Sequence, residues 1–353
     1  MLLLTILLAC GTADPSTSPT DTPSVGEATS DTGTTSTSTP STASTGSTAS
    51  SGSTAASGAT GDTGTPPERE PIDCNAPTLP VPLRFRATGG DAVPFEPRPD
   101  GTFWFAQSFA GLAAGLEPAT AVQVHSERAN AVRTMPNGEV VWLGDPGGPA
   151  TVYREVGGVP TVWATLPGNP VVSWFDLEPH ASGSLIVAGP VGTQWIDATG
   201  GHTFVGTTAG PSAYAADHAS LWALDVSGGS YGLHTVPIDA DGRPDWASGT
   251  QVAGLPALPV GTLAPIFYDL EVDACDRVYL FVKTDALTFQ SEQLWIYTPT
   301  DGTWAHLADV PQGYGPSYPR IGRAPGDEQT LMMRTSYPDG WMRWHLGTGA
   351  AVP

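Results

Sequence analysis

Glu96, Arg133, Glu178, Tyr214 and Glu271 each stand five residues before a tight-turn signal, and Arg320 takes the matching place once a sixth signal is shifted. Asp176 and Asp269 stand seven residues before two of the same turns. Carboxylates, guanidiniums and a phenol in one column are the groups that hold a cation, polarise a carbonyl or move a proton. They also form ion pairs that satisfy one another inside a protein. As a ligand site or as a salt-bridged plug, the column requires these eight residues to face one another. No nucleophile with its own base and orienting group can be named, so no catalytic residue is assigned.

Other chemical signals are weaker. Gly228-Gly-Ser-Tyr-Gly232 fits G-x-S-x-G, but it lies between two strand patterns and reads as a loop rather than a strand–turn–helix elbow. Asp239-Ala-Asp-Gly-Arg-Pro-Asp245 has the start of a calcium loop without its distal Glu and reads as a hairpin turn. The seven His have no H-x-x-x-H pair, so no zinc site is indicated.

The column follows from a repeat. Phe175-Asp-Leu-Glu-Pro-His-Ala-Ser-Gly-Ser-Leu-Ile-Val-Ala188 aligns without a gap on Tyr268-Asp-Leu-Glu-Val-Asp-Ala-Cys-Asp-Arg-Val-Tyr-Leu-Phe281. Weaker copies start at Phe95, Val132, Tyr214 and Ile321, and the six turns fall near 101, 138, 183, 219, 276 and 329. Each unit is a strand, a tight turn and a strongly apolar strand, followed by a third and usually a fourth strand. Thr151–Val156 with Thr161–Thr165, and Gln293–Tyr297 with Thr303–Leu307, are such later pairs, the second joined through Asp301-Gly302. Four strands per repeat of about 45 residues is the blade of a β-propeller. The fold class is therefore all-β, a six-bladed β-propeller. A seven-bladed ring is the alternative, with the long interval between 219 and 276 hiding a degenerate blade. The first strand of a blade lines the channel, which puts the column there. The last unit runs short of chain, and Leu83–Ala87 precedes the first unit without a partner. That stretch is expected to supply the outer strand of the last blade.

The rest of the chain is a different material. Residues 1–84 contain no Phe, Trp or Tyr, whereas all 30 aromatics follow. Residues 11–70 hold 30 Ser or Thr and read as a disordered linker that cannot bury a core. The domains are then a signal peptide at 1–10, the linker at 11–70 and the propeller at 71–353. Cys74 and Cys275 form an even pair in an exported chain and are expected to be bridged. Of the formal charge of −21, residues 1–70 carry −6 and the remainder −15. Nucleic acid is excluded as a partner, because phosphate contacts need clustered Lys and Arg.

Two resemblances extend this reading. Leu7-Leu8-Ala9-Cys10 resembles a bacterial lipobox, which implies lipidation of Cys10 and attachment to a membrane. Gly11 and Thr12, with no Asp after the Cys, imply the outer membrane of the cell envelope. Asp269–Phe281 and Pro99-Asp-Gly-Thr-Phe-Trp-Phe105 resemble blade motifs of NHL and SMP-30 (gluconolactonase-like) propellers. That likeness implies a channel-centred site in which the carboxylates of Glu96, Asp176, Glu178, Asp269 and Glu271 would suit Ca²⁺. The expected function is a monomeric, envelope-anchored, non-catalytic module that binds a protein or small-molecule ligand. The alternative is a metal-dependent hydrolase or lactonase of the SMP-30-like kind.

Overall fold

The computed structural model divides into two units, Met1–Ala59 and Thr60–Pro353. It describes residues 72–85, 94–107, 111–116, 120–144, 150–166, 176–189, 192–206, 210–225, 232–259, 265–284, 292–310, 319–323, 329–336 and 339–347. The lipobox with Cys10 and the linker at 11–70 lie outside them. The described residues form six four-stranded antiparallel sheets with twenty-four strands in all, a six-bladed propeller.

Five inner turns are built alike. Gly101, Gly138, Gly183, His218 and Asp276 each have positive φ, between 54° and 86°. Each donates its backbone N–H to the carbonyl three residues back, on Arg98, Met135, His180, Ala215 and Asp273. A type I turn closed by a left-handed residue joins two strands in this way, and glycine enters that conformation at no steric cost. The repeat is thus visible because one turn geometry recurs.

The long interval that left a seventh blade open is an insertion within blade 4. After the strand Gly232–Pro237 the chain makes a hairpin in which Asp239 Oδ1 accepts from the N–H groups of Asp241 and Arg243. A short 3₁₀ turn, Trp246–Ser248, precedes the fourth strand, Thr250–Gly254. Asp239–Asp245 is therefore a turn, as its sequence indicates. Most of Gly228–Gly232 lies outside the described residues, and Gly232 opens the third strand of blade 4.

The apolar core sits in six seams. Each buried cluster draws on two neighbouring blades, such as Val132, Val140 and Trp142 against Ala106 and Leu112, or Tyr279, Phe281 and Leu294 against Leu331, Met333 and Trp344. Phe95, Phe103 and Phe105 meet Met332, so blade 1 packs on blade 6 and the ring closes.

Closure depends on the N-terminal segment. Leu79–Phe85 pairs antiparallel with Asp339–His345 as the outer strand of blade 6, with a bulge between Val81 and Arg84. Just before it, Cys74 is bridged to Cys275 in the inner turn of blade 5. Asp273 fixes that turn. Its Oδ1 accepts from the N–H groups of Cys275 and Arg277, and its Oδ2 accepts from Arg277 Nε at 2.6 Å and Tyr279 Oη at 2.9 Å. Arg277 Nη1 donates to Ala76 O at 2.9 Å, and the hydroxyls of Thr78 and Tyr279 are 2.9 Å apart. Burial and the Asp273 carboxylate push the Tyr279 phenol far above its usual range. It stays protonated and donates.

The seam between blades 5 and 6 also holds an unusual pair. Lys283, the only lysine of the chain, stands opposite Glu292 in the strand register, and each is 1 % exposed. Neither Glu292 oxygen has a hydrogen-bond partner among the described residues. Burial pushes this carboxyl up to about 7, opposed by the Lys283 charge.

Two outcomes follow. The bridge spans 201 residues, so on chain entropy its loss costs up to about 5 kcal/mol. Denaturant unfolding with and without reductant should show that drop, and the Cys74→Ser/Cys275→Ser variant should no longer respond to reductant. A carboxyl whose folded value lies above its unfolded one adds stability below the unfolded value and loses it as pH rises through the folded value. Between pH 4.5 and 7 Glu292 should therefore cost about 3 kcal/mol of stability, at 1.36 kcal/mol per unit. Unfolding curves at pH 5 and 7.5 should diverge by less in Glu292→Gln.

Candidate functional site at the channel

The inner strands are short: Phe95–Pro97, Ala131–Thr134, Asp176–Pro179, Ser212–Tyr214, Ile266–Val272 and Pro319–Arg323. Side chains on such strands alternate between two directions. One residue per strand in a fixed register with its turn therefore sends its side chain the same way in every blade.

Arg133 is at the centre of what this produces. Its Nη2 lies 2.7 Å from Glu178 Oε1 and 3.0 Å from Glu271 Oε1, and its Nη1 lies 3.7 Å from Glu96 Oε2. Its Nε donates to Leu177 O at 2.8 Å. Glu96 Oε1 accepts from the Thr134 N–H at 3.1 Å. Arg320 Nη1 continues the lattice, 3.4 Å from Glu271 Oε1 and in close contact with Asp269 Oδ2. Asp269 Oδ1 accepts from the Leu270 N–H. Four carboxylates and two guanidiniums from blades 1, 2, 3, 5 and 6 thus form one chain of alternating charge. Arg133, Arg320 and Asp269 are buried, whereas the Glu96 and Glu271 side chains keep 15 % and 13 % exposure.

Six of the eight residues in the column meet in this way. Asp269 and Glu271 both reach the lattice because they stand two apart in unbroken register on the inner strand of blade 5, where such side chains point the same way. Tyr214 does not join. Its ring packs against His180, and its hydroxyl donates to Gly242 O at 2.7 Å, held by the insertion of blade 4. Burial, reinforced by the Glu178 charge, raises its phenol well above the ordinary value. Asp176 opens the inner strand of blade 3, and its side chain lies outside the described residues.

The same reading overlooked Lys283, Glu292 and the Asp273–Arg277–Tyr279 network. A lone lysine ending the apolar run Val278-Tyr-Leu-Phe-Val282 was a usable signal for the first. Its partner becomes visible only with the strand register.

The carboxylates suit a hard cation by type, but they are turned to guanidinium groups. Among the described residues no group of three or more His, Cys, Asp or Glu is disposed to hold a metal ion. As arranged, these residues do not fit Ca²⁺.

No protein-family model matches the chain, and no curated protein matches it. Solved structures do resemble it. A calcium-binding regucalcin from Agrobacterium tumefaciens is 16 % identical with a TM-score of 0.50, over 74 % of this chain and 93 % of that one. A gluconolactonase from Xanthomonas campestris is 14 % identical with a TM-score of 0.50, over 78 % and 98 %. A luciferin-regenerating enzyme is 13 % identical with a TM-score of 0.52, over 76 % and 96 %. These likenesses show the fold. They also correct the expected non-catalytic binding module, because the propellers it resembles include a gluconolactonase and a luciferin-regenerating enzyme.

Proposed function

We propose that the chain hydrolyses a small cyclic ester, a lactone, at its central channel. The observation that carries this reading is the lattice on Arg133 and Arg320, set in a propeller similar to a gluconolactonase. Opening a lactone needs a base for water and a positive group where the carbonyl oxygen gains charge. Glu96 is the most open of the lattice carboxylates. In this reading Glu96 takes a proton from water and the hydroxide adds to the carbonyl carbon. The guanidinium side of the lattice steadies the oxyanion. The ring C–O bond then breaks, and the departing oxygen regains the proton from Glu96, leaving an open-chain hydroxy acid.

Incubation of the full chain with glucono-1,5-lactone, followed by acid release, tests the reading. Hydrolysis should exceed the spontaneous rate, and Glu96→Gln should lower it by about 10²–10⁴-fold, the usual worth of a general base. A folded protein that leaves a panel of sugar lactones at the spontaneous rate sinks the proposal. The envelope placement is proposed with it, on the Leu7–Cys10 motif. Labelled palmitate should enter the protein in cells and be lost in Cys10→Ala.

A further inference from the structure

Arg133 reaches out of blade 2 into a cage that the other blades supply. Glu96 of blade 1, Glu178 of blade 3 and Glu271 of blade 5 offer it carboxylate oxygens, and Leu177 adds a backbone carbonyl. Carboxylate and carbonyl oxygens converging from three blades on one positive group are the donor type a hard divalent cation takes, with water completing the six to eight ligands of Ca²⁺. The separations of 2.7 to 3.7 Å are those of a guanidinium, not the 2.3–2.6 Å of Ca²⁺.

Charge explains why something cationic must sit there. Three carboxylates, each at most about one-seventh exposed, repel one another unless a positive group stands between them. A metal can do this, but it must be captured from solution and can be lost to a chelator. A side chain cannot leave. The guanidinium is planar and permanently charged, and it binds several oxygens at once.

We infer that Arg133 is the resident cation of this channel: it takes the place a divalent ion would hold among Glu96, Glu178 and Glu271, and so decides that this set binds none. The inference rests on the geometry of the lattice and is independent of lactone hydrolysis. It also identifies a latent site, because shortening one side chain leaves the oxygens without their charge.

The test is calorimetric titration of CaCl₂ into the full chain, with the thermal midpoint as a second readout. The native protein should take up no calcium that Glu178→Gln removes. Arg133→Met should gain one equivalent with a Kd on the order of 10⁻⁴–10⁻³ M, and a midpoint that rises with CaCl₂. Arg133→Met/Glu178→Gln should lose that binding. If Arg133→Met does not fold alone, millimolar CaCl₂ should restore its near-ultraviolet dichroism. Calcium bound by the native protein and lost in Glu178→Gln overturns the inference. So does a folded Arg133→Met that gains no site, or an unfolded one that calcium does not rescue. Each readout is ion binding or folding, so an inactive protein would sink the lactonase proposal and leave this one standing.

Discussion

A propeller has to close. Each blade is a thin sheet with two faces, and neither face can be buried until a neighbour arrives. The six clusters of this protein lie between blades, so its apolar free energy is gained in full only when blade 6 meets blade 1. The chain meets this requirement by separating the outer strand of blade 6 from the rest of that blade by more than two hundred residues. Leu79–Phe85 returns to pair with Asp339–His345, and Cys74 anchors the approach on blade 5. The channel chemistry is subordinate to this closure. Arg133 has its partners only because blades 1, 3 and 5 are held around a common axis.

The lattice raises a question of purpose as well as of position. Buried ion pairs seldom add net stability over apolar packing, since removing charges from water costs about as much as their attraction returns. Six charged groups along one channel are thus a poor way to glue blades. They are a good way to hold polar groups in fixed orientation near an axis, which is what a reacting carbonyl would need. The surplus of two negative charges in the lattice also shows why the net charge of the chain says little about its ligands.

Much of this was legible in the sequence for one reason. The inner turn imposes a left-handed residue at a set distance from the channel, and Gly101, Gly138 and Gly183 announce it. Counting back from the turn then finds Glu96, Arg133 and Glu178. His218 and Asp276 adopt the same conformation with side chains, so their turns are fainter. Tyr214 falls one residue out of register: the left-handed residue of its turn is His218, so the place five before it is Ala213, and Tyr214 faces the other side of the strand, where Gly242 of the insertion meets it. Lys283 and Glu292 could not be paired from sequence because their adjacency exists only in the register of two strands. The lattice itself needed three dimensions. A column shows which charges are present, not that three of them share one guanidinium.

The burial of Lys283 has a practical side. It is the only peptide bond donor for a lysine-specific protease in the whole chain, and it is closed inside the seam between blades 5 and 6. Such a protease can cut there only when that seam opens. A cut would leave the strand Leu79–Phe85 and the other three strands of blade 6 on separate fragments with no covalent link, since Cys74 and Cys275 both precede Lys283. The protein thus carries a single-site gauge of its own opening, read as one band becoming two on a denaturing gel.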